Sequence, residues 1–151
     1  MTAERMHENK VAIITGAAHG IGRSTAERLA AEGAKVAIVD INDELGAEVV
    51  QAIEAAGGDA YYIHTDVSVQ DQVRRMVETT VSRWGRLDYL VNNAYTMVRG
   101  SVVELAEEDW DRSMSVNLKA FFLTCKHAFP EMEKVGGGSI VNLSSVHGYA
   151  A

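Results

Sequence analysis

The chain has 151 residues, 47% of them hydrophobic, and its 21 acidic and 14 basic side chains give a formal charge of −7. This length and composition suit one globular domain, and the chain lacks the clusters of lysine or arginine with which proteins bind nucleic acid. The opening residues lack the apolar core of a signal peptide and no apolar run reaches about 18 residues, so we expect a single cytoplasmic domain over 1–151 without a membrane partner.

Short runs rich in β-branched residues alternate with longer stretches of helical periodicity along the chain. In order, the predicted strands are Val11–Thr15, Lys35–Asp40, Ala60–His64, Tyr89–Asn92 and Ser139–Leu143. Each run is almost continuously apolar, as expected for a strand that helices cover on both faces. The alternation predicts an α/β protein of three layers, with five parallel strands between two layers of helices.

Four helices are predicted from apolar residues that recur every three or four positions. The first starts at the glycine-rich segment described below and ends at Gly33 as a left-handed cap, and the others cover Asp43–Ala56, Val69–Trp84 and Glu107–Glu133. Pro130 is a point at which the last helix is expected to bend or end early. The expected buried faces are Ile21, Ala26, Thr25, Leu29, Ala30 and Gly33 in the first helix, Val69, Val73, Met76, Val77, Val81 and Trp84 in the third, and Met114, Leu118, Phe121, Phe122, Cys125 and Phe129 in the fourth.

The first strand leads into a glycine-rich segment, Gly16-Ala17-Ala18-His19-Gly20-Ile21-Gly22, that opens the first helix. Glycines at such a junction allow a tight turn, the approach of bare backbone to a pyrophosphate, and close contact between helix and strand. The N-terminus of the helix adds unpaired N–H groups and a partial positive charge. The segment predicts a phosphate-binding loop, and the alternative is a glycine-rich turn that binds nothing.

An acidic residue, Asp40, ends the second strand about 20 residues after the glycine-rich segment, as a dinucleotide site requires. Its carboxylate can accept hydrogen bonds from the ribose hydroxyls of NAD, whereas the 2′-phosphate of NADP would meet like charge. NAD is therefore the expected cofactor, although Arg23 is a possible partner for a 2′-phosphate. The alternative for Asp40 is a solvated turn residue before Asn42.

Several segments in series resemble the short-chain dehydrogenase/reductase family in its compact form. Thr15, Gly16, Gly20 and Gly22 are similar to its Thr-Gly-x-x-x-Gly-x-Gly loop. The other matching positions are Asp66 and Val67 after the third strand, Asn92, Asn93 and Ala94 at the end of the fourth, Asn117 in the long helix, and Ser145, with Gly148 three residues later, after the fifth. Tyr95 departs from the pattern, because it stands where the family usually has glycine, and we expect it to alter the loop beside the cofactor.

The resemblance implies a Rossmann-type doubly wound sheet and an NAD-dependent oxidoreductase that moves hydride between the cofactor and a secondary alcohol or ketone. It implies Asn117 and Ser145 as catalytic residues, with Ser145 bonding the reacting oxygen and Asn117 supporting a proton path through water. The cofactor-binding positions that it implies are Gly16, His19, Gly20, Ile21, Gly22, Asp40, Ile41, Asp66, Val67, Asn93 and Ala94.

The family's general acid/base is the tyrosine of a Tyr-x-x-x-Lys motif that follows the serine, and this chain has no match to it. Tyr149 is the only tyrosine after Ser145, but two alanines follow it and no lysine does. We therefore expect an incomplete domain, truncated before this motif, that is inactive by itself at 151 residues. The resemblance also implies a homo-oligomer, a dimer or tetramer, with the long helix at its interface.

Two other functions remain open from the sequence. One is a non-catalytic module that binds NAD, and the other is a protein of similar fold but unrelated chemistry, such as a methyltransferase that binds S-adenosylmethionine. A metal site and an internal disulfide are not expected, because Cys125 is the only cysteine and the five histidines are not paired at metal-ligand spacing.

Overall fold

The computed structural model describes residues 5–146, which fold into one parallel five-stranded sheet between helices. The strands are β1 Val11–Thr15, β2 Lys35–Asp40, β3 Asp59–His64, β4 Tyr89–Asn92 and β5 Ser139–Asn142. The helices are α1 Gly20–Ala31, α2 Asp43–Ala55, α3 Gln70–Trp84, α4 Glu107–Met114 and α5 Ala120–Lys134. The α/β prediction is confirmed, and the predicted bounds of the strands differ from the observed ones by one residue at most, at Asp59 and at Leu143.

The strands lie in the order β3-β2-β1-β4-β5, so the chain builds one half of the sheet outward from β1 and then the other half. β1 pairs with β2 from Val11↔Lys35 to Thr15↔Val39, and with β4 on its other edge. The strand order reverses between β1 and β4, and in open α/β sheets ligands bind beyond the carboxyl ends of the strands at such a point.

Two cores fill the space between the three layers. On one face, side chains of α1 and α2 such as Ala26 and Val49 pack against β1 and β2. On the other face, α3 and α5 pack against the same strands through residues such as Met76 and Leu123. The helices thus cover both faces, which explains why the central strands are apolar throughout.

The predicted buried face of α1 is confirmed at Ala26 and Ala30, with Leu29 packed beside them, and is wrong at Ile21. Gly22, Ala26 and Ala30 are buried, whereas Ile21 is 66% exposed at the start of the helix. Small side chains allow the helix to lie close to the sheet, and Ile21 turns toward the carboxyl edge of the strands instead. The predicted left-handed end of this helix is confirmed, with Gly33 at φ +96°.

The expected buried face of α3 is confirmed except at its first residue. Val73, Met76 and Val77 are buried and Trp84 packs beside them. Val69 is 40% exposed because it caps the helix and does not take part in its regular turns. Gly85 ends the helix in the left-handed conformation, with φ +77°, as its position predicts.

The long fourth helix of the prediction is three consecutive segments: α4, a π-helical turn over Ser115–Lys119, and α5. The wider turn rotates the faces of α4 and α5 relative to one regular helix, and such turns are common at functional sites. Pro130 does not end α5, which continues to Lys134.

The face predicted to be buried in the long helix is wrong for three of its large side chains. Leu118, Phe122 and Phe129 are 58%, 62% and 57% exposed. Cys125 of the predicted face does pack against the core. The fully buried residues are smaller on average: Ala120, Leu123, Thr124, Ala128 and Met132. The structure therefore leaves an apolar stripe along this helix in solvent.

Within residues 5–146, none of the helices combines the length and the hydrophobicity that a bilayer crossing requires. The same residues contain no group of three or more histidine, cysteine or acidic side chains placed to hold a metal ion.

Candidate functional site

A cleft of about 990 Å³ opens at the carboxyl edge of the sheet, where the strand order reverses. Ten of the predicted cofactor-binding residues line it: Gly16, His19, Gly20, Ile21, Asp40, Ile41, Asp66, Val67, Asn93 and Ala94. The eleventh, Gly22, lies inside α1 and is buried. The structure therefore brings predicted residues from four separate segments of the chain to one cavity.

The three glycines of the loop meet three different requirements. Gly16 has φ +64°, and a Cβ there would lie 2.9 Å from the Cα of Ala94. Gly22 packs even more closely, since a Cβ would lie 2.2 Å from the carbonyl oxygen of Gly16. Gly20 has φ +56° and nothing within 4 Å of its missing Cβ, so its backbone faces open space. This division into turn, exposed backbone and close packing is the one that a pyrophosphate-binding loop requires.

The N-terminus of α1 points its free amides into the same cleft. His19 is the residue before the first turn, and its side chain makes no capping hydrogen bond. The first turn contains no acidic side chain, so nothing there opposes the partial positive charge of the helix end. These N–H groups can bind an anion such as a pyrophosphate.

Asp40 is buried, at 8% exposure, and its carboxylate organises the turn around it. Oδ1 accepts hydrogen bonds from the amides of Ile41 and Asn42, at 2.8 and 3.1 Å, and Oδ2 accepts one from the amide of Ala18 at 3.0 Å. The alternative of a solvated turn residue is wrong. A carboxylate has about four acceptor positions, so Oδ2 keeps one for a ligand.

The side chains of Tyr62 and His64 support the turn that follows Asp40. The Tyr62 hydroxyl lies 2.9 Å from the carbonyl oxygen of Asp40 and 2.8 Å from the carboxylate of Asp43. His64 contacts the same carboxylate oxygen at 2.7 Å. The hydrogen bonds from His64 and Tyr62 lower the pKa of Asp43, while burial and the neighbouring carboxylate of Asp43 raise the pKa of Tyr62 well above its usual value. Tyr62 therefore stays protonated and remains a donor.

Asn93 ties the end of β4 to the phosphate loop. Its side-chain amide donates to the carbonyl oxygens of Thr15 and Gly16, both at 3.0 Å. In return, the Thr15 hydroxyl accepts from the backbone amides of Asn93 and Ala94, at 3.0 and 3.1 Å. Asn92 points away from the cleft and bonds Asn142 of β5 at 2.7 Å. Asn93 therefore holds the end of β4 against the phosphate loop, and Asn92 holds it against β5.

Asp66 and Val67 form the wall of the cleft beyond β3. The Asp66 carboxylate accepts hydrogen bonds from the amide and the hydroxyl of Ser68, at 2.9 and 2.6 Å. Val67 is buried at 6% exposure beneath this turn. Asp66 therefore shapes the turn before α3, and its side chain is already engaged without a ligand.

The two predicted catalytic residues do not line the cleft. Asn117 lies in the π-helical turn and holds Thr96 from both sides: its Oδ1 accepts from the Thr96 amide and its Nδ2 donates to the Thr96 carbonyl, both at 2.9 Å. Ser145 follows β5 with an exposed side chain. Gly148 and Tyr149 lie outside the described residues.

Sequence reasoning missed several residues of the cleft. Arg112 and Val116 reach it from α4 and the π-helical turn, and Met97 reaches it from the loop after β4. Beyond Tyr95, that loop and α4 match none of the motifs that predicted the cofactor-binding residues. Arg23, considered as a partner for a 2′-phosphate, is paired with Glu27 at 2.8 Å and does not line the cleft.

Comparisons with known proteins give matches along almost the whole chain. The sequence model of the short chain dehydrogenase family matches residues 10–151. An uncharacterized oxidoreductase of Thermotoga maritima is 48% identical over 141 residues, which are 93% of this chain and 55% of that protein. Cyclopentanol dehydrogenase of Comamonas sp. is 38% identical over 140 residues, 93% of this chain and 56% of the relative.

A solved structure from Burkholderia xenovorans, described as a short-chain dehydrogenase/reductase, superposes with a TM-score of 0.92 at 39% identity. The match covers 99% of this chain and 58% of that one. The chain therefore spans little more than half the length of the relatives it matches.

Proposed function

The chain belongs to the short-chain dehydrogenase family, and on this basis we propose that it is the cofactor-binding part of an NAD-dependent oxidoreductase. The reaction is hydride transfer between a nicotinamide and a secondary alcohol or ketone. The observation that carries the proposal is the open backbone of Gly20 beside the free N-terminus of α1, in a cleft that Asp40 also lines. Each of these features suits one part of a dinucleotide.

Different residues of the cleft bind different parts of NAD. Gly20, with the first amides of α1, holds the pyrophosphate, and Asp40 accepts a hydrogen bond from the adenosine ribose through the free position on Oδ2. Ile41, Asp66 and Val67 enclose the adenosine side, while Asn93 and Ala94 support the phosphate loop from β4.

The preference for NAD over NADP rests on charge. Asp40 is a buried carboxylate, and a 2′-phosphate next to it would add a second negative group at low exposure to water. Arg23 is engaged with Glu27 and offers no compensating charge in the cleft. Arg112 does line the cleft, where its charge can complement the pyrophosphate that both cofactors share.

The chemical step needs a donor or acceptor for the hydroxyl proton in addition to the nicotinamide, which accepts or supplies the hydride. In this proposal Ser145 holds the reacting oxygen by a hydrogen bond, and Asn117, which holds Thr96 of the loop after β4, supports the proton path. The family's proton donor is the tyrosine of Tyr-x-x-x-Lys, a motif absent from these 151 residues. A protein of these residues alone binds NAD and does not turn over an alcohol.

The names of two relatives support a small-molecule substrate. They include a cyclopentanol dehydrogenase and a secoisolariciresinol dehydrogenase. The exposed stripe of Leu118, Phe122 and Phe129 supports a homo-oligomer, in which a second copy of the chain covers these side chains.

The test is calorimetric titration of the purified chain with NAD, NADP and S-adenosylmethionine, followed by an assay with NAD and a panel of secondary alcohols. NAD binding stronger than NADP binding, with no binding of S-adenosylmethionine, is the expected result. Binding of S-adenosylmethionine alone would overturn the proposal. Should NAD bind without turnover in a longer chain that includes Tyr-x-x-x-Lys, the function would be that of a non-catalytic NAD-binding module.

A further inference from the structure

Tyr95 is an exposed aromatic side chain on a backbone that is held at both ends. On one side, Ala94 donates its amide to the Thr15 hydroxyl at 3.1 Å. On the other side, Thr96 is held through both its amide and its carbonyl by Asn117, at 2.9 Å each. The side chain between these anchors is 70% exposed.

An exposed ring on a fixed backbone costs little conformational entropy when it orders against a ligand, and this is how tyrosine serves in binding surfaces. Within residues 5–146 the Tyr95 hydroxyl makes no hydrogen bond, and the ring has no aromatic or cationic partner. Nothing in the described part of the fold therefore requires a large apolar group at this position. The backbone contacts would be made equally well by glycine or alanine.

The location of Tyr95 indicates which ligand its side chain would contact. It lines the cleft, and it is the only tyrosine, phenylalanine or tryptophan among the described residues that do so. The residue before it, Ala94, lies against Gly16 of the phosphate loop. Tyr95 follows β4, on the opposite side of β1 from Asp40 at the end of β2.

A dinucleotide lies across the point where the strand order reverses, with one mononucleotide over each half of the sheet. If Asp40 takes the adenosine ribose, the half of the cleft beside β4 receives the other mononucleotide. We infer that the Tyr95 side chain is a contact for the nicotinamide riboside half of the cofactor. The inference rests on the proposed function, and it concerns a side chain that the family pattern does not contain.

The experiment uses the full 151-residue chain and two ligands, NAD and ADP, measured by calorimetric titration without any turnover. ADP shares the adenosine and two phosphates with NAD and lacks the nicotinamide riboside. In Tyr95→Ala we expect the affinity for NAD to fall about tenfold, as for loss of one ring stacked on a base, while the affinity for ADP changes by less than about twofold. Tyr95→Phe keeps the ring and should bind both ligands nearly as the parent chain does.

Tyr61→Ala is the matched control, because Tyr61 is a 40% exposed tyrosine of β3 that does not line the cleft. It should leave both affinities unchanged. Equal loss of NAD and ADP in Tyr95→Ala, or no loss of either, would overturn the inference. Failure of the parent chain to bind NAD would instead overturn the proposed function, so the two failures are distinguishable.

Discussion

The carboxylate of Asp40 accepts a hydrogen bond from the backbone amide of Ala18 at 3.0 Å. This contact connects the end of β2 to the phosphate loop that follows β1. A residue expected to act on the ribose is therefore also part of the support of the pyrophosphate site. Substitutions at Asp40 must be designed so that these two roles can be separated.

Asp40→Ala should weaken NAD binding by about tenfold or more, and NADP binding much less, because it removes both the ribose acceptor and the charge that repels a 2′-phosphate. The ratio of the two dissociation constants is the measurement, since general loosening of the loop affects both cofactors. Asp43→Ala, which removes a nearby exposed carboxylate, should leave the ratio unchanged. Equal losses for NAD and NADP in Asp40→Ala would contradict the assignment of Asp40.

Gly22→Ala should destabilise the fold by about 3 kcal/mol, because its Cβ would collide with the backbone of Gly16 and the side chain of Asn93. Gly57→Ala is the control: it has φ +83° but open space around it, so it should cost only about 1 kcal/mol of backbone strain. Urea denaturation measures both values. Equal costs would mean that the close packing of α1 on the loop is not required.

Asn117→Ala should release the loop after β4, since it removes both hydrogen bonds to Thr96 and costs about 1–2 kcal/mol of local stability. Hydrogen exchange at the Thr96 amide is the direct readout, and it should become faster. Ser113→Ala removes only the 3.2 Å contact between Ser113 and Asn117, so the exchange of Thr96 should stay as in the parent chain. Unchanged protection of Thr96 in Asn117→Ala would show that Asn117 does not hold the loop.

Asp88, with a side chain 3% exposed, is held by Arg86 through two contacts of 2.7 Å, by Lys10 at 3.1 Å, and by the amide of Val11. Burial alone would raise the pKa of Asp88, but these donors outweigh it and the pKa lies below its usual value. The unfolded chain, with an aspartate pKa of about 3.9, then binds the proton more readily than the folded chain.

The stabilisation from Asp88 is therefore complete above about pH 4 and is lost as the pH falls through the lower pKa of the folded state. Asp88→Asn should cost about 2 kcal/mol near neutral pH. It should also show a smaller fall in the free energy of unfolding between about pH 5 and about pH 2 than the parent chain. Parallel pH profiles for the two proteins would contradict this role.

Phe122→Glu should reduce self-association, because Phe122 is 62% exposed in the middle of the apolar stripe along α5. Val103→Glu is the control, since Val103 is 90% exposed and lies outside the helices. Sedimentation velocity should show the parent chain and Val103→Glu as a dimer or larger and Phe122→Glu as a monomer. A monomeric parent chain would contradict the use of this stripe by a second copy.

The sheet and the phosphate loop could be predicted because their signals are local. A strand, three glycines in a fixed spacing and Asp40 about 20 residues later each impose a backbone or charge requirement that the residue type itself reveals. The burial of Asp40 beneath three amides could not be predicted, since it depends on how closely Ala18 approaches the end of β2.

Periodicity identified the helices but not always the face that each one buries. In α5 the buried residues include Ala120 and Ala128, which were not predicted, because close contact between helix and sheet favours small side chains. Large apolar residues such as Phe129 then point into solvent. A prediction from hydrophobic periodicity places these residues in the core instead. Arg112 could not be placed in the cleft, because an irregular segment separates α4 from the strand-end motifs that line it.

The central claim, that NAD binds in this cleft, is tested most directly by nuclear magnetic resonance, since a 16.4 kDa chain gives resolved amide signals. Titration with NAD should shift the amide signals of Gly20, Ile41 and Ala94 at the carboxyl edge of the sheet. Those of Gly57 and Gly136, at the opposite edge, should stay in place. An absence of shifts, or shifts confined to the opposite edge, would contradict the account.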